Sequence, residues 1–170
     1  FIDLVALRDE GLLDDEELES CVVPSGPVDY GNLYNKRYNI LRLAYARFNI
    51  RDEEFLKFID SGEYDGYALF MSLKTRYSGS FDTFPDSYKF AEKLAVTEFK
   101  TAVYKSDYCF WLFLQFIFRK QWDKLKAYVN SLGIKIIGDL PLYVAYDSAD
   151  VWLHPELFKR YLSSVGMSEN

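Results

Sequence analysis

The sequence has little cysteine and histidine. Its 170 residues include two cysteines, Cys21 and Cys109, and a single histidine, His154. No C-x-x-C pair is present, and two cysteines with one histidine cannot supply the four ligands of a structural zinc site. Two cysteines this far apart do not make a disulfide framework, so we expect two buried thiols outside any disulfide, in a reducing compartment.

Positive charge is also scarce. Lys and Arg total 20 against 26 Asp and Glu, which gives a formal net charge of −6. Nucleic acids and anionic membrane surfaces attract basic proteins, so neither is an expected partner. The longest apolar run, residues 108–118, is shorter than the ~20 residues of a membrane span, and the charged residues after Phe1 do not fit a signal peptide. We therefore predict a cytoplasmic protein in which residues 108–118 form a buried helix.

Common catalytic and nucleotide-binding signatures are missing. The sequence contains no G-x-x-x-x-G-K-[ST], G-x-G-x-x-G, H-E-x-x-H or G-x-S-x-G motif. A Ser-His-Asp triad would have to use His154, which precedes Pro155. We expect this histidine to lie on the surface or at the start of a helix rather than to act as a base.

Aromatic residues are abundant, at 18% of the chain, and hydrophobic residues make up 49%. This composition suits one folded domain. Apolar residues at helical spacing follow a series of candidate N-capping or first-turn residues, namely Asp14, Asp29, Asp52 and Asp86. Glu17 completes a capping box, and the pattern from Asp86 continues through Leu94. A long helix is predicted from about residue 107 to residue 132, ended by Gly133.

One buried strand is predicted, over residues 134–140. Its three isoleucines follow Gly133 directly, and Pro141, which lacks an N–H for the ladder, ends it. Helix, glycine and buried strand make one step of an α/β fold. A single strand cannot pair its own backbone groups, and the chain begins at Phe1 without a methionine. We therefore expect a piece of a longer protein.

Polar residues follow the predicted strand. Asp139 stands at its carboxyl end, where side chains line the active sites of α/β barrels. The alternative is an aspartate that only fixes the loop by accepting backbone hydrogen bonds. Asp147, Ser148 and Asp150, beside Trp152, could bind a sugar through carboxylates and a ring. Alternatively, Asp147 and Ser148 could cap a helix.

Most aromatic residues are expected in the core, above all those between Phe110 and Trp122 on the long helix. Tyr30 differs because it follows a connector with Pro24, Gly26 and Pro27 at the start of a helix. An exposed ring in that position is a candidate stacking platform for a sugar.

The segment IKIIGDLPLYVAYDSADVWLHPELF, residues 134–158, closely resembles 4-α-glucanotransferases of the amylomaltase type, also called disproportionating enzyme, in glycoside hydrolase family seventy-seven. Earlier segments resemble the same family in the same order, namely FIDLVALRDEGLL, VDYGNLY, DGYALFMSLK and FLQFIFRKQWDKLKAYVNSLG. The resemblance covers about residues 1–158.

The resemblance implies a (β/α)8 barrel with largely helical insertions. The expected fold class is therefore α/β, an incomplete portion of that barrel with a helical insertion subdomain. The family transfers α-1,4-glucan segments between maltooligosaccharides or starch chains by retaining double displacement, with an Asp nucleophile, a Glu acid/base and a second Asp. The implied partner is an α-1,4-glucan, and no metal or organic cofactor is implied. Asp139 matches the family's D-L-P aspartate beside the donor site, and Tyr30 matches an aromatic of an accessory glucan-binding surface.

The sequence departs from the family in what it lacks. The family's nucleophile lies in an R-I-D-H-F-R-G run that is absent here, as are the acid/base Glu and the second Asp, so no catalytic residue is assigned and the chain alone is predicted to be inactive.

We divide the chain into residues 1–132, a mostly helical insertion and barrel helix; residues 133–158, a barrel strand and active-site loop; and residues 159–170, an unassigned tail. The alternative is a non-catalytic α-glucan-binding or interaction module. The sequence indicates no particular oligomeric state.

Overall fold

The computed structural model describes residues 1–22, 26–91, 97, 105–140 and 143–158. The regular structure of these residues is helical. The α-helices are α1 (Leu4–Asp9), α2 (Asp15–Ser20), α3 (Tyr30–Arg47), α4 (Glu53–Asp60), α5 (Asp65–Tyr77), α6 (Asp86–Lys89), α7 (Lys105–Ser131) and α8 (Ala149–Leu153). Two 3-10 turns, Phe81–Thr83 and Pro155–Leu157, complete the described elements.

Aspartate side chains begin several of these helices, as predicted. Asp14 accepts from the Glu17 N–H at 2.8 Å, and Glu17 accepts from the Asp14 N–H at 3.0 Å, which confirms the capping box. Asp29 and Asp52 accept from backbone N–H groups in the first turns of α3 and α4. Each cap satisfies a donor that has no partner inside its helix. Helix α6 ends at Lys89 rather than continuing through Phe90 as predicted, because Ala91 adopts a positive φ of 51° that no helix can contain. Residues 92–94 of the predicted helix lie outside the described residues.

The chain divides into two compact units. The first comprises Phe1–Tyr64 and Cys109–Gly138, and the second comprises Asp65–Tyr108 and Asp139–Asn170. These boundaries differ from the division at residue 132 that the sequence suggested. That division concerns the insertion and barrel of the family fold, and it stays a prediction.

Helix α7 supplies the aromatic core of the first unit. Phe113 is fully buried, with ring centroids 5.4 Å from Tyr45 and 4.9 Å from Phe48. Phe55 packs edge-on against Phe48 at 5.1 Å. Burial of each such ring contributes about 1.5–3 kcal/mol. The predicted buried helix over residues 108–118 is therefore confirmed for its central part, although Phe118 itself is exposed.

Helix α8 packs on α5 in the second unit. The Trp152 ring lies 5.7 Å from the Phe70 ring, and both side chains are buried. Gly66 allows this approach, because a Cβ at that position would lie 2.3 Å from Cδ1 of Leu153. These contacts hold the short helix α8 against α5.

Residues 134–140 do not form the predicted strand within the described chain. Helix α7 ends at Ser131, and Gly133 follows with a φ of +75°, as expected for a helix stop. The next seven residues have no regular structure, and Ile137 is 93% exposed. The physical reason is that a strand needs a partner for its ladder, and no strand is present among the described residues. The predicted strand end at Pro141 and the tail 159–170 lie outside those residues.

The described helices include none that is long and apolar enough to cross a membrane. Helix α7 has 27 residues, but its C-terminal half is polar and exposed on much of its surface.

We predict that Phe113→Ala lowers the free energy of unfolding by about 3–5 kcal/mol, because it leaves a cavity in the aromatic core of the first unit. Urea unfolding followed by far-UV circular dichroism measures the change. The matched control is Phe90→Ala, at a phenylalanine that is 66% exposed, where the change stays within about 0.5 kcal/mol. Equal effects at the two positions would contradict the packing described here.

We also predict a pH-dependent effect of Glu17→Gln on the melting temperature. Arg47 donates to both Glu17 oxygens, at 2.6 and 2.9 Å, and these bonds lower the pKa of Glu17 from its ordinary value, with a smaller contribution from the Asp14 N–H. A lowered folded-state pKa stabilises the fold above the unfolded-state value of about 4.3, and the contribution is lost as the pH falls through the folded-state pKa.

The unaltered chain should therefore melt at a higher temperature than the Glu17→Gln variant at pH 7. The difference should begin to shrink below about pH 4.3 and should vanish once the pH is below the lowered folded-state pKa of Glu17. Glu16→Gln is the control, since Glu16 lies in the same helical turn and is exposed. The same pH dependence in both variants would show that the Arg47 pairing is not its source.

Candidate functional site

Asp147 connects three segments of the second unit. Its Oδ1 accepts from the backbone N–H of Phe81 at 3.2 Å, and its Oδ2 accepts from Nζ of Lys74 in a short ion pair. Neither contact caps the helix that follows Asp147, which was one predicted role, since that helix is capped by Ser148. Each oxygen accepts from one protein group, and the other predicted role, a carboxylate that accepts from sugar hydroxyls, stays a prediction.

The residues after Asp147 form a small anchored helix. Ser148 caps α8 as predicted, accepting from the Val151 N–H at 3.4 Å. The indole N–H of Trp152 donates to the Tyr88 carbonyl at 2.8 Å, and the ring itself is buried. Trp152 is therefore a core residue here rather than a stacking surface, while Asp150 in the first turn of α8 is exposed.

Asp139 and its neighbours lie at the surface. Asp139 is exposed, Leu140 is 84% exposed and Tyr143 is 92% exposed. Asp139 thus presents a carboxylate to solvent in the same unit as Asp147 and α8. A carboxylate accepts hydrogen bonds from sugar hydroxyls, and an exposed tyrosine ring stacks on sugar C–H faces. The sequence pattern singled out Asp139 but not Tyr143.

Tyr30 belongs to the first unit, where it begins α3 next to the N-cap Asp29. Its side chain is 77% exposed, as the sequence predicted for a stacking platform. Tyr34, one turn later, is 53% exposed, and its ring lies 4.3 Å from that of Tyr38. Tyr38 in turn lies 5.4 Å from the ring of Trp111, which is buried. An aromatic row therefore leads from the surface into the core.

Sequence reasoning missed Tyr34 as part of this row. The signal was present, because Tyr30, Tyr34 and Tyr38 are spaced four residues apart and such residues lie on one face of a helix.

A groove of about 580 Å³ lies in the first unit beside the C-terminal half of α7. Trp122, Leu125 and Tyr128 form much of its wall. Two polar residues that line the groove are hydrogen-bonded to each other. The Gln121 side chain accepts from the Asp3 N–H at 2.7 Å and donates to the Asp3 carbonyl at 3.0 Å. The groove includes none of the residues that the sequence assigned to glucan binding.

The cysteines and the histidine lie apart from these features. Cys21 and Cys109 are half-buried rather than fully buried and form no disulfide with each other. Burial raises the pKa of the Cys21 thiol. His154 follows α8, is exposed, and has Nδ1 3.5 Å from Oε1 of Glu156, as expected for a surface residue at a helix boundary. Nowhere in the described chain do three acidic, cysteine or histidine side chains form a cluster that could hold a metal ion.

Comparison with known proteins gives the family of this chain. The family described as 4-alpha-glucanotransferase matches residues 1–168. The 4-alpha-glucanotransferase of Clostridium butyricum is 38% identical over 164 residues, which cover 93% of this chain and 34% of that protein. The 4-alpha-glucanotransferase of Thermus thermophilus is 38% identical over 165 residues, which cover 92% and 32%.

A solved structure agrees with these matches. The amylomaltase from Streptococcus agalactiae in complex with acarbose is 30% identical, with a TM-score of 0.81. The match covers 95% of this chain and 34% of that chain. The chain therefore spans about a third of the length of the relatives it matches. The family match extends over nearly every residue, and on that ground the chain belongs to the 4-alpha-glucanotransferase family.

Proposed function

We propose that this chain is part of a 4-α-glucanotransferase that transfers α-1,4-glucan segments between maltooligosaccharides or starch chains. The match of the family over residues 1–168 supports the proposal most directly. The mechanism proposed from the family resemblance is retaining double displacement, in which one carboxylate forms a covalent glycosyl-enzyme and another transfers the proton. The cytoplasmic location stays a prediction.

The proposal assigns this chain a binding role rather than the chemical step. The sequence contains no R-I-D-H-F-R-G run, and the chain spans about a third of its relatives. Without the nucleophile the covalent route is closed. In the proposal, residues 1–132 contribute a helical insertion and a barrel helix, and residues 133–158 contribute an active-site loop. Residues 134–140, which form no strand in the described chain, become a barrel strand only beside partner strands from the rest of the longer protein.

Two exposed residues carry the proposed glucan contacts. Asp139 accepts hydrogen bonds from sugar hydroxyls, and Tyr30 stacks on a sugar face. Their exposure in the structure is compatible with both roles. The solved relative in complex with acarbose supports a carbohydrate ligand for the family fold.

A non-catalytic α-glucan-binding module is the second candidate. The exposed Tyr30–Tyr34 pair favours it, because an aromatic row binds a glucan without any catalytic group. The two candidate functions predict different transfer activities when a polypeptide that carries the R-I-D-H-F-R-G run of a relative is added to the chain. Transfer activity appears only if the chain is part of an enzyme.

We predict that the chain alone gives no glycosyl transfer. The test incubates maltotriose with a sample whose intact mass is verified as 19.9 kDa and looks for glucose together with longer products. A product ladder at that mass would contradict the statement that this chain lacks the nucleophile, and Asp139, Asp147 and Asp150 would become the residues to substitute.

We further predict that the chain binds maltoheptaose without turnover, at Tyr30 in the first unit and separately at Asp139 in the second. Tyr30→Ala should raise the Kd read from amides near Tyr30 about tenfold, and Asp139→Asn should raise the Kd read from amides near Asp139 about tenfold, which corresponds to about 1.4 kcal/mol in each case. Backbone amide shifts in a ¹⁵N-labelled chain give the Kd. Tyr128→Ala and Asp60→Asn are the matched controls, at another exposed tyrosine and another exposed aspartate. Weaker binding in Tyr128→Ala but not in Tyr30→Ala would place the glucan at the α7 groove and refute the assignment.

A further inference from the structure

Asp147 is held by partners that are distant in the sequence. Its two partners, Lys74 and the backbone of Phe81, lie 73 and 66 residues before it. Both charged side chains are half-buried, at 26% exposure for Lys74 and 32% for Asp147. Bonds between charged groups in partly dehydrated surroundings are stronger than those of fully exposed surface pairs.

The Phe81 N–H needs the acceptor that Asp147 supplies. Phe81 is the first residue of the 3-10 turn Phe81–Thr83, and the preceding Ser80 makes no capping bond with its side chain. The first N–H groups of a helical turn have no partner inside it. Asp147 thus takes the place of a local cap, although it comes from a distant part of the sequence.

Neighbouring contacts hold the same stretch on both sides of Asp147. The Tyr146 ring lies 5.2 Å from the Phe81 ring, and its hydroxyl donates to Oδ1 of Asp82 at 3.0 Å. Trp152 is tied to the Tyr88 carbonyl. Residues 146–152 are therefore fixed against α5, the 3-10 turn and the end of α6.

The residues just before this stretch are exposed. We define the candidate loop as residues 139–140 and 143–145, which include Asp139 and Tyr143. Tyr143 precedes Asp147 by four residues. The contacts of Asp147 therefore lie where the exposed loop meets the anchored helix.

We propose that Lys74 and Asp147 are positioning residues for the candidate loop. By fixing the end of the loop, the pair determines how Asp139 meets an α-glucan, and neither side chain contacts the glucan itself. This inference rests on the proposed function, since it assumes that Asp139 binds a glucan.

The test uses the full chain, labelled with ¹⁵N, and three variants of the pair. Asp147→Asn and Lys74→Met keep the size of each side chain and remove its charge, whereas Lys74→Arg keeps the charge. Lys120→Met is the matched control, because Lys120 pairs with Glu10 at 3.3 Å on the surface of the first unit. Two quantities are measured: hydrogen exchange of the Phe81 amide, and the Kd for maltoheptaose from the Asp139 amide shift.

We expect Asp147→Asn and Lys74→Met to speed Phe81 exchange about tenfold and to raise the Kd about fivefold. Lys74→Arg should stay close to the unaltered chain in both measurements, and Lys120→Met should change neither. Should Asp147→Asn fail to fold, the comparison of Lys74→Met with Lys74→Arg decides the question.

Three results would overturn the proposal. Faster Phe81 exchange with an unchanged Kd would make the pair purely structural. A Kd for Lys74→Arg as weak as that for Lys74→Met would show that the charge is not the operative feature. No binding of maltoheptaose by the unaltered chain would contradict the proposed function itself, and the positioning role with it, which separates this failure from the other two.

Discussion

The hydrogen bonds to Asp147 are the constraint on which the candidate site depends. The carboxylate ties Lys74 on α5 to the N–H of Phe81, and it does so immediately after the exposed residues that include Asp139. A buried or half-buried carboxylate is stable only when its oxygens find donors. The same bonds that satisfy the charge therefore determine where the loop leaves the packed part of the second unit.

Each unit has its own source of stability. In the first unit, α7 brings Phe110, Phe113 and Phe116 against rings of α3 and α4. Such pairs add about 0.5–1.5 kcal/mol beyond the burial of their area. In the second unit, Gly66 lets α8 approach α5, and Trp152 fills the contact. The binding residues proposed here lie outside both cores, so substitutions at Tyr30 and Asp139 test binding with little effect on packing.

The local features of the fold could be predicted from the sequence, and the distant contacts could not. Caps such as Asp14 with Glu17 involve residues within one helical turn, and the buried face of α7 follows from its apolar spacing. The strand over residues 134–140 failed to form because pairing depends on a second segment, which its own β-branched residues cannot provide. The Lys74–Asp147 pair spans 73 residues, so no short pattern reveals it. Tyr34 could have been predicted, because its four-residue spacing from Tyr30 and Tyr38 places the three rings on one face of α3.

The most direct test of the central claim, that this chain binds α-glucans at Tyr30 in one unit and at the candidate loop in the other, is hydrogen–deuterium exchange mass spectrometry with and without maltoheptaose. The account predicts that the glucan slows exchange in peptides that cover Tyr30–Tyr38 and residues 139–145, and leaves α4 unchanged. Protection confined to the α7 groove, or no protection anywhere in the chain, would contradict it.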